Sequence, residues 1–181
     1  WCDDAGINSC ADIFIFGDSD YTGKNLAHRL SWDDIQDFFE ETMKDGARLS
    51  YVWGSGYGER DLGAIEFYGG AAHSLCVSGD GTIYPAIGWY EPLGNIATAR
   101  LDDVFQNHPL LCDLRKIRVS DIAECRECKC ADFCDFCFSP HITANHGELG
   151  KVDGEYCRFV SVRRNFAQIL DAVLAARDKA I

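Results

Sequence analysis

The chain has 181 residues, of which 47% are hydrophobic and 12% aromatic, enough apolar surface to fold around a core and too much for a chain disordered by composition. It carries 17 basic against 29 acidic side chains, a net charge of −12 without the clustered Lys and Arg that nucleic acid needs, so a nucleic-acid partner is not expected. No apolar run approaches the roughly 18 residues of a membrane span, so no membrane partner is expected either.

The chain opens at Trp1 without a Met, a basic segment or an apolar segment, so we expect no signal peptide, a cytoplasmic setting and a chain cut from something longer. Ala11 to Phe16 form a short apolar, partly β-branched run bounded by Gly17-Asp18-Ser19-Asp20, which predicts a buried strand and a loop. Ser31, three residues before Asp34, starts a helix in the manner of a capping box. Ile35, Phe38, Phe39, Thr42 and Met43 continue it at helical spacing, and Asp45-Gly46 stops it. Ala47 to Trp53 predicts a second strand. The glycines at 54, 56 and 58 that follow lack the Lys-Ser/Thr of a phosphate loop and read as a flexible turn.

Beyond Ser74 the character changes. Ser74 to Val77 and Thr82 to Tyr84 predict two short strands joined through Ser78-Gly79-Asp80-Gly81, where Asp-Gly is a strong hairpin signal. Leu101 to Phe105 predicts a short helix, and residues 112 to 157 read as loop. Val162, Phe166, Ile169, Leu170, Val173 and Leu174 predict an apolar stripe on a closing helix, a packing face.

Cysteine is the informative residue. Of ten, five fall between Cys125 and Cys137, namely Cys125, Cys128, Cys130, Cys134 and Cys137. A secreted disulfide framework spreads its cysteines between loops, whereas a metal site gathers them. The loop supplies C-x2-C-x5-C at Cys125, Cys128 and Cys134, and Cys157 can be the distant fourth ligand. Four thiolates suit an iron–sulfur cluster, and they suit tetrahedral zinc equally, so the spacing leaves both open. In such turns, backbone N–H groups point at sulfur and help set a cluster's potential. Inside the loop, Cys130, Cys134 and Cys137 also read C-x3-C-x2-C, the spacing that holds the catalytic cluster of radical S-adenosylmethionine enzymes. There the motif follows an early strand and precedes most of a barrel. Here no barrel follows, and the match is taken as incidental.

The wider pattern is more specific. Leu75-Cys76-Val77-Ser78-Gly79-Asp80-Gly81-Thr82-Ile83-Tyr84-Pro85 resembles the hairpin of the SPASM domain, the C-terminal extension of many radical S-adenosylmethionine maturases. Pro92-Leu93-Gly94-Asn95-Ile96, the helix from Leu101, the C-x2-C-x5-C and the lone Cys157 follow in the family's order, so the resemblance covers residues 68 to 157. It implies a fold in three parts. Residues 1–67 would be an α/β fragment, the end of a partial β/α barrel. Residues 68–159 would be a small Cys-rich α+β domain with a β-hairpin, and 160–181 a closing amphipathic helix. It implies one [4Fe–4S] cluster on Cys125, Cys128, Cys134 and Cys157. A second, hairpin-side cluster would need Cys76 and Cys137, with Cys112 or Cys130 as substitutes, because Tyr68 and Ala86 stand where the family has cysteines. The third interval of the Cys loop is x2 where the family has x3. The resemblance further implies a parent enzyme that cleaves S-adenosylmethionine outside these residues, modifies a peptide or protein, and takes electrons from a reductase. The cluster portion would relay electrons or position substrate.

Three other readings stand beside it. The chain could be a zinc-stabilised interaction module, or a redox enzyme working through free thiols, although no C-x-x-C here follows a strand and opens a helix. A Cys/His acyl-transfer enzyme has His28, His73, His108, His141 and His146 to draw on, but no motif ties any of them to a cysteine. The acidic pairs Asp33-Asp34 and Glu40-Glu41 read as a solvated helix face.

Overall fold

The computed structural model describes residues 13–18, 20–44 and 59–178. The expected strand at 47–53, the glycine-rich turn at 54–58, Cys2 and Cys10 lie outside the described residues. Residues 13–16 are not a strand, contrary to the sequence reading. Phe14 is buried among rings of the last helix, so the apolar run marks packing without a sheet partner. A run this short cannot be told from other buried segments by composition.

Helix α1 spans Trp32–Lys44. Ser31 Oγ accepts the Asp34 N–H at 3.1 Å and donates to the Asp34 carboxylate at 2.6 Å, while the Ser31 N–H reaches the same carboxylate at 3.3 Å. This reciprocal cap satisfies donors that the first turn otherwise leaves orphaned. Ile35 and Phe39 are buried from this helix.

After α2 (Gly69–Ala72), β1 (Cys76–Val77), β2 (Thr82–Tyr84) and β3 (Gly94–Asn95) form a three-stranded antiparallel sheet in that order. Cys76 lies opposite Tyr84 and Val77 opposite Ile83, with Ile83 then opposite Gly94. Gly81 turns at φ +84°, a left-handed conformation that glycine adopts without a steric penalty, and Asp80 Oδ1 accepts the Thr82 N–H at 3.0 Å.

Helix α3 (Leu101–Asn107) stands where the sequence predicts a short helix, whereas the segment read as loop contains more helix, the end of α4 (Pro109–Leu114), α5 (Ala123–Arg126) and α6 (Phe138–Ala144). None is longer than seven residues, too short for a hydrophobic period to show. The last helix, α7, runs Gly154–Asp178 and so begins before residue 160. Asp153 caps it, its carboxylate accepting the Glu155 N–H at 3.0 Å. Asp153-Gly154 resembles a turn signal in sequence but serves here as the helix start. Among the described side chains of α7, Tyr156, Phe159, Val160, Ala167 and Leu170 are buried, whereas Ile169 and Val173 of the predicted stripe are exposed. No helix of the described residues is long and apolar enough to cross a membrane.

Two hydrophobic clusters result. One joins Phe67, Tyr68, Ile83, Trp89, Leu111 and Phe138 around the sheet and the short helices. The other joins Phe14, Ile35, Phe39 and Phe133 to α7 through Tyr156 and Phe159. The cysteine loop lies along their seam: Cys125 belongs to the first, Cys130 packs on the second, and Cys134 packs on both.

Candidate metal centre

The loop is held from both sides. Arg164 of α7 grips Asp132 through two hydrogen bonds of 3.0 and 2.8 Å, a bidentate pairing that also sets direction. On the other side the Arg60 guanidinium donates to the Cys134 carbonyl and lies over the Phe136 ring, 4.8 Å from its centroid. Phe136 itself sits at φ +50°, a left-handed conformation uncommon for a bulky residue. The bend there brings its N–H onto Cys134 Sγ at 3.4 Å. Cys130 N–H likewise donates to Cys128 Sγ at 3.4 Å. Two sulfurs of the loop therefore accept backbone hydrogen bonds, the arrangement that stabilises a thiolate on a metal.

Cys157 reaches the loop because α7 starts early. It stands in the first turn of that helix, its N–H bonded to the Asp153 carbonyl at 3.0 Å. Cys125, Cys128, Cys130, Cys134 and Cys157 together line one cavity. None of the five is in a disulfide. All four cysteines expected as ligands are thus brought together, and Cys130 joins them.

The other candidates are not. Cys76 is half-buried on β1 opposite Tyr84, not sealed in the core. The Cys112 thiol donates to the Gln106 carbonyl at 3.4 Å, and Cys137 packs in the second hydrophobic cluster. The two positions where the family has cysteines are filled by core: Tyr68 is fully buried, Ala86 is nearly so, and both belong to the cluster around Trp89 and Phe138. Tyr68 Oη accepts the Gly150 N–H at 2.7 Å, a further reason for a phenol there.

Burial keeps the thiols of Cys125, Cys134 and Cys157 protonated. Burial pushes the Cys125 thiol up to about 12, and the neighbouring Cys157 and Cys128 add to the shift. Burial likewise raises Cys134 to about 12, against the Phe136 N–H, which favours its thiolate. Cys157 is raised to about 11 by burial and then by Cys128, Asp153 and Cys130. Cys130 is also raised by burial, with the Ser161 hydroxyl opposing. Thiols held this far up are poor nucleophiles, because the thiolate is the reactive form. A metal centre reverses this, since coordination removes the thiol proton outright.

One wall of the cavity carries a residue that no motif singled out. His141 of α6 is 2% exposed, stacked on Phe67 at 5.5 Å and edge-on to Tyr156 at 5.4 Å. Its Nδ1 accepts the Asp153 N–H at 2.8 Å, and burial pulls its pKa down to about 4, so the ring is neutral at ordinary pH. The Cys/His reading finds no support in this, for a partner imidazolium would lower a cysteine and all the shifted thiols here are raised.

Among the described residues no three His, Cys, Asp or Glu side chains are drawn together closely enough to hold a single metal ion. No family model matches the sequence, no curated protein matches it, and no solved structure matches the fold.

Proposed function

We propose that this chain is the auxiliary iron–sulfur portion of a radical S-adenosylmethionine enzyme that modifies a peptide or protein. Cys125, Cys128, Cys134 and Cys157 would hold one [4Fe–4S] cluster. The observation that carries this reading is that three thiols of one tight loop and the distant Cys157 line one cavity. Four thiolates would hold a cluster or zinc equally well, and the order in which the hairpin, the cysteine loop and the lone Cys157 follow one another favours the cluster. When bound, such a cluster supplies one-electron transfer.

The protein's part is to exclude water with the two hydrophobic clusters and to donate N–H groups to Cys128 and Cys134. The filled core at Tyr68 and Ala86 supports a single cluster, with no second one at the hairpin. In this reading S-adenosylmethionine is cleaved elsewhere in the parent enzyme, a reductase supplies electrons, and the setting is cytoplasmic.

Anaerobic purification and reconstitution, with iron, sulfide and zinc analysis, tests the proposal. About four irons and four sulfides per chain are expected, with charge-transfer absorption near about 400 nm that Cys128→Ala abolishes. Stoichiometric zinc without iron or sulfide would instead establish the zinc-stabilised module.

A further inference from the structure

His141 is a buried polar side chain on the wall of the thiol cavity, and only one of its two ring nitrogens is accounted for. Nδ1 accepts the Asp153 N–H at 2.8 Å, so in the neutral ring the proton resides on Nε2. That Nε2–H has no hydrogen-bond partner among the described residues, although the residue is only 2% exposed. A donor on a cavity wall takes its acceptor from that cavity, either water or a bound group. Phe67 stacks face to face on the imidazole, and the Tyr156 hydroxyl donates to Asp135 at 2.7 Å. Beside His141 stand the Asp135 carboxylate, whose charge acts on the ring, and the cavity with its five thiols.

We propose that His141 Nε2–H donates a hydrogen bond into this cavity, to a sulfur of the iron–sulfur group held there. His141 is thereby a positioning residue that sets the group's reduction potential. The inference rests on the cluster reading above and adds a specific role for a residue outside the cysteine pattern. Its direction follows from charge. Reduction adds an electron and no proton at His141, so a fixed donor favours the more negative, reduced state and holds the potential up. The fold prepares this donor in advance. Asp153 both caps α7, which carries Cys157, and presents the backbone N–H that selects the His141 tautomer, so ligand and donor share one anchor.

The experiment uses the reconstituted full chain, reduced and studied by pulsed electron paramagnetic resonance, with natural-abundance and with [15N]histidine-labelled protein. We expect a nitrogen coupling to the cluster that changes isotope with the histidine label and disappears in His141→Gln. The midpoint potential of that variant should move negative by a change of about tenfold in the one-electron equilibrium, about 59 mV. The labelled wild-type protein decides the question even where the variant fails to fold. A loaded wild type with no histidine coupling, or with a coupling and potential that His141→Gln leaves unchanged, overturns the role of His141 while the cluster reading stands. A wild type that takes up no iron and sulfide overturns both.

Discussion

Asp153 ties three parts of the structure together, and its replacement separates their contributions. The carboxylate is 7% exposed, pairs with Arg29 at 3.0 Å and caps α7 through the Glu155 N–H. Asp153→Asn keeps a side-chain oxygen for the cap and removes the charge. Breaking a buried ion pair by deleting one partner costs about 3–5 kcal/mol when the other charge is stranded. Arg29 is not fully stranded, because its Nε still donates to the Ile15 carbonyl at 2.8 Å and its guanidinium lies 4.4 Å from the centre of the Phe14 ring. The expected loss is therefore smaller, about 2 kcal/mol, the worth of one charge-assisted hydrogen bond. Asp153→Ala removes the cap as well, adding about 1 kcal/mol. With a urea slope of about 2 kcal/mol per molar, the unfolding midpoint should fall by about 1 M in the Asn variant and by about 1.5 M in the Ala variant. Because Cys157 stands in the turn that Asp153 caps, iron retention during anaerobic gel filtration should fall in the same order. Equal midpoints for the two variants, or losses below about 0.5 kcal/mol in both, would refute the reasoning.

Cys76→Ala should leave iron content unchanged and cost at most about 1 kcal/mol, since the thiol lies half-buried on a short strand; loss of about four irons with the Cys157 site still loaded would reveal a second cluster. His141 has a folded pKa near 4 against an ordinary value of 6.5, so the unfolded chain takes up its proton first on acidification. Its contribution is full above pH 6.5 and is lost as pH falls toward 4, by up to about 3 kcal/mol, a slope that urea midpoints should show flattened in His141→Gln. Incubated with S-adenosylmethionine and dithionite, the chain should release no 5′-deoxyadenosine, because Cys137 packs in the second hydrophobic cluster while Cys130 and Cys134 face the cavity. A rate that Cys130→Ala removes would show that the C-x3-C-x2-C motif is catalytic.

Legibility followed the range of the interaction. The cap at Ser31 and Asp34, the Asp80-Gly81 turn and the helix from Leu101 could be read directly, because each depends on residues a few positions apart. The short helices between Pro109 and Ala144 could not, since pieces of four to seven residues owe their helicity to the tertiary contacts that cover them. The start of α7 was misplaced for a related reason. Asp153-Gly154 has the chemistry of a turn and of a helix cap alike, and the pairing of Asp153 with Arg29, 124 positions earlier, accompanies the second outcome.

By itself the sequence determined which chemistry was available: thiols packed into a tight loop, a lone cysteine further on, and a net charge of −12. The tertiary structure decided which thiols line one cavity. Cys157 joined because α7 begins at Gly154, Cys130 joined because the Asp132–Arg164 pair presses its loop against that helix, and Cys137 left for the second core. His141 entered the cavity wall only through its contacts with Phe67, Tyr156 and the Asp153 backbone, none of them adjacent in sequence. Spacing along a chain sets what a loop can present. Burial against distant segments sets what it faces, because only a desolvated site makes the positions of thiols and donors energetically consequential.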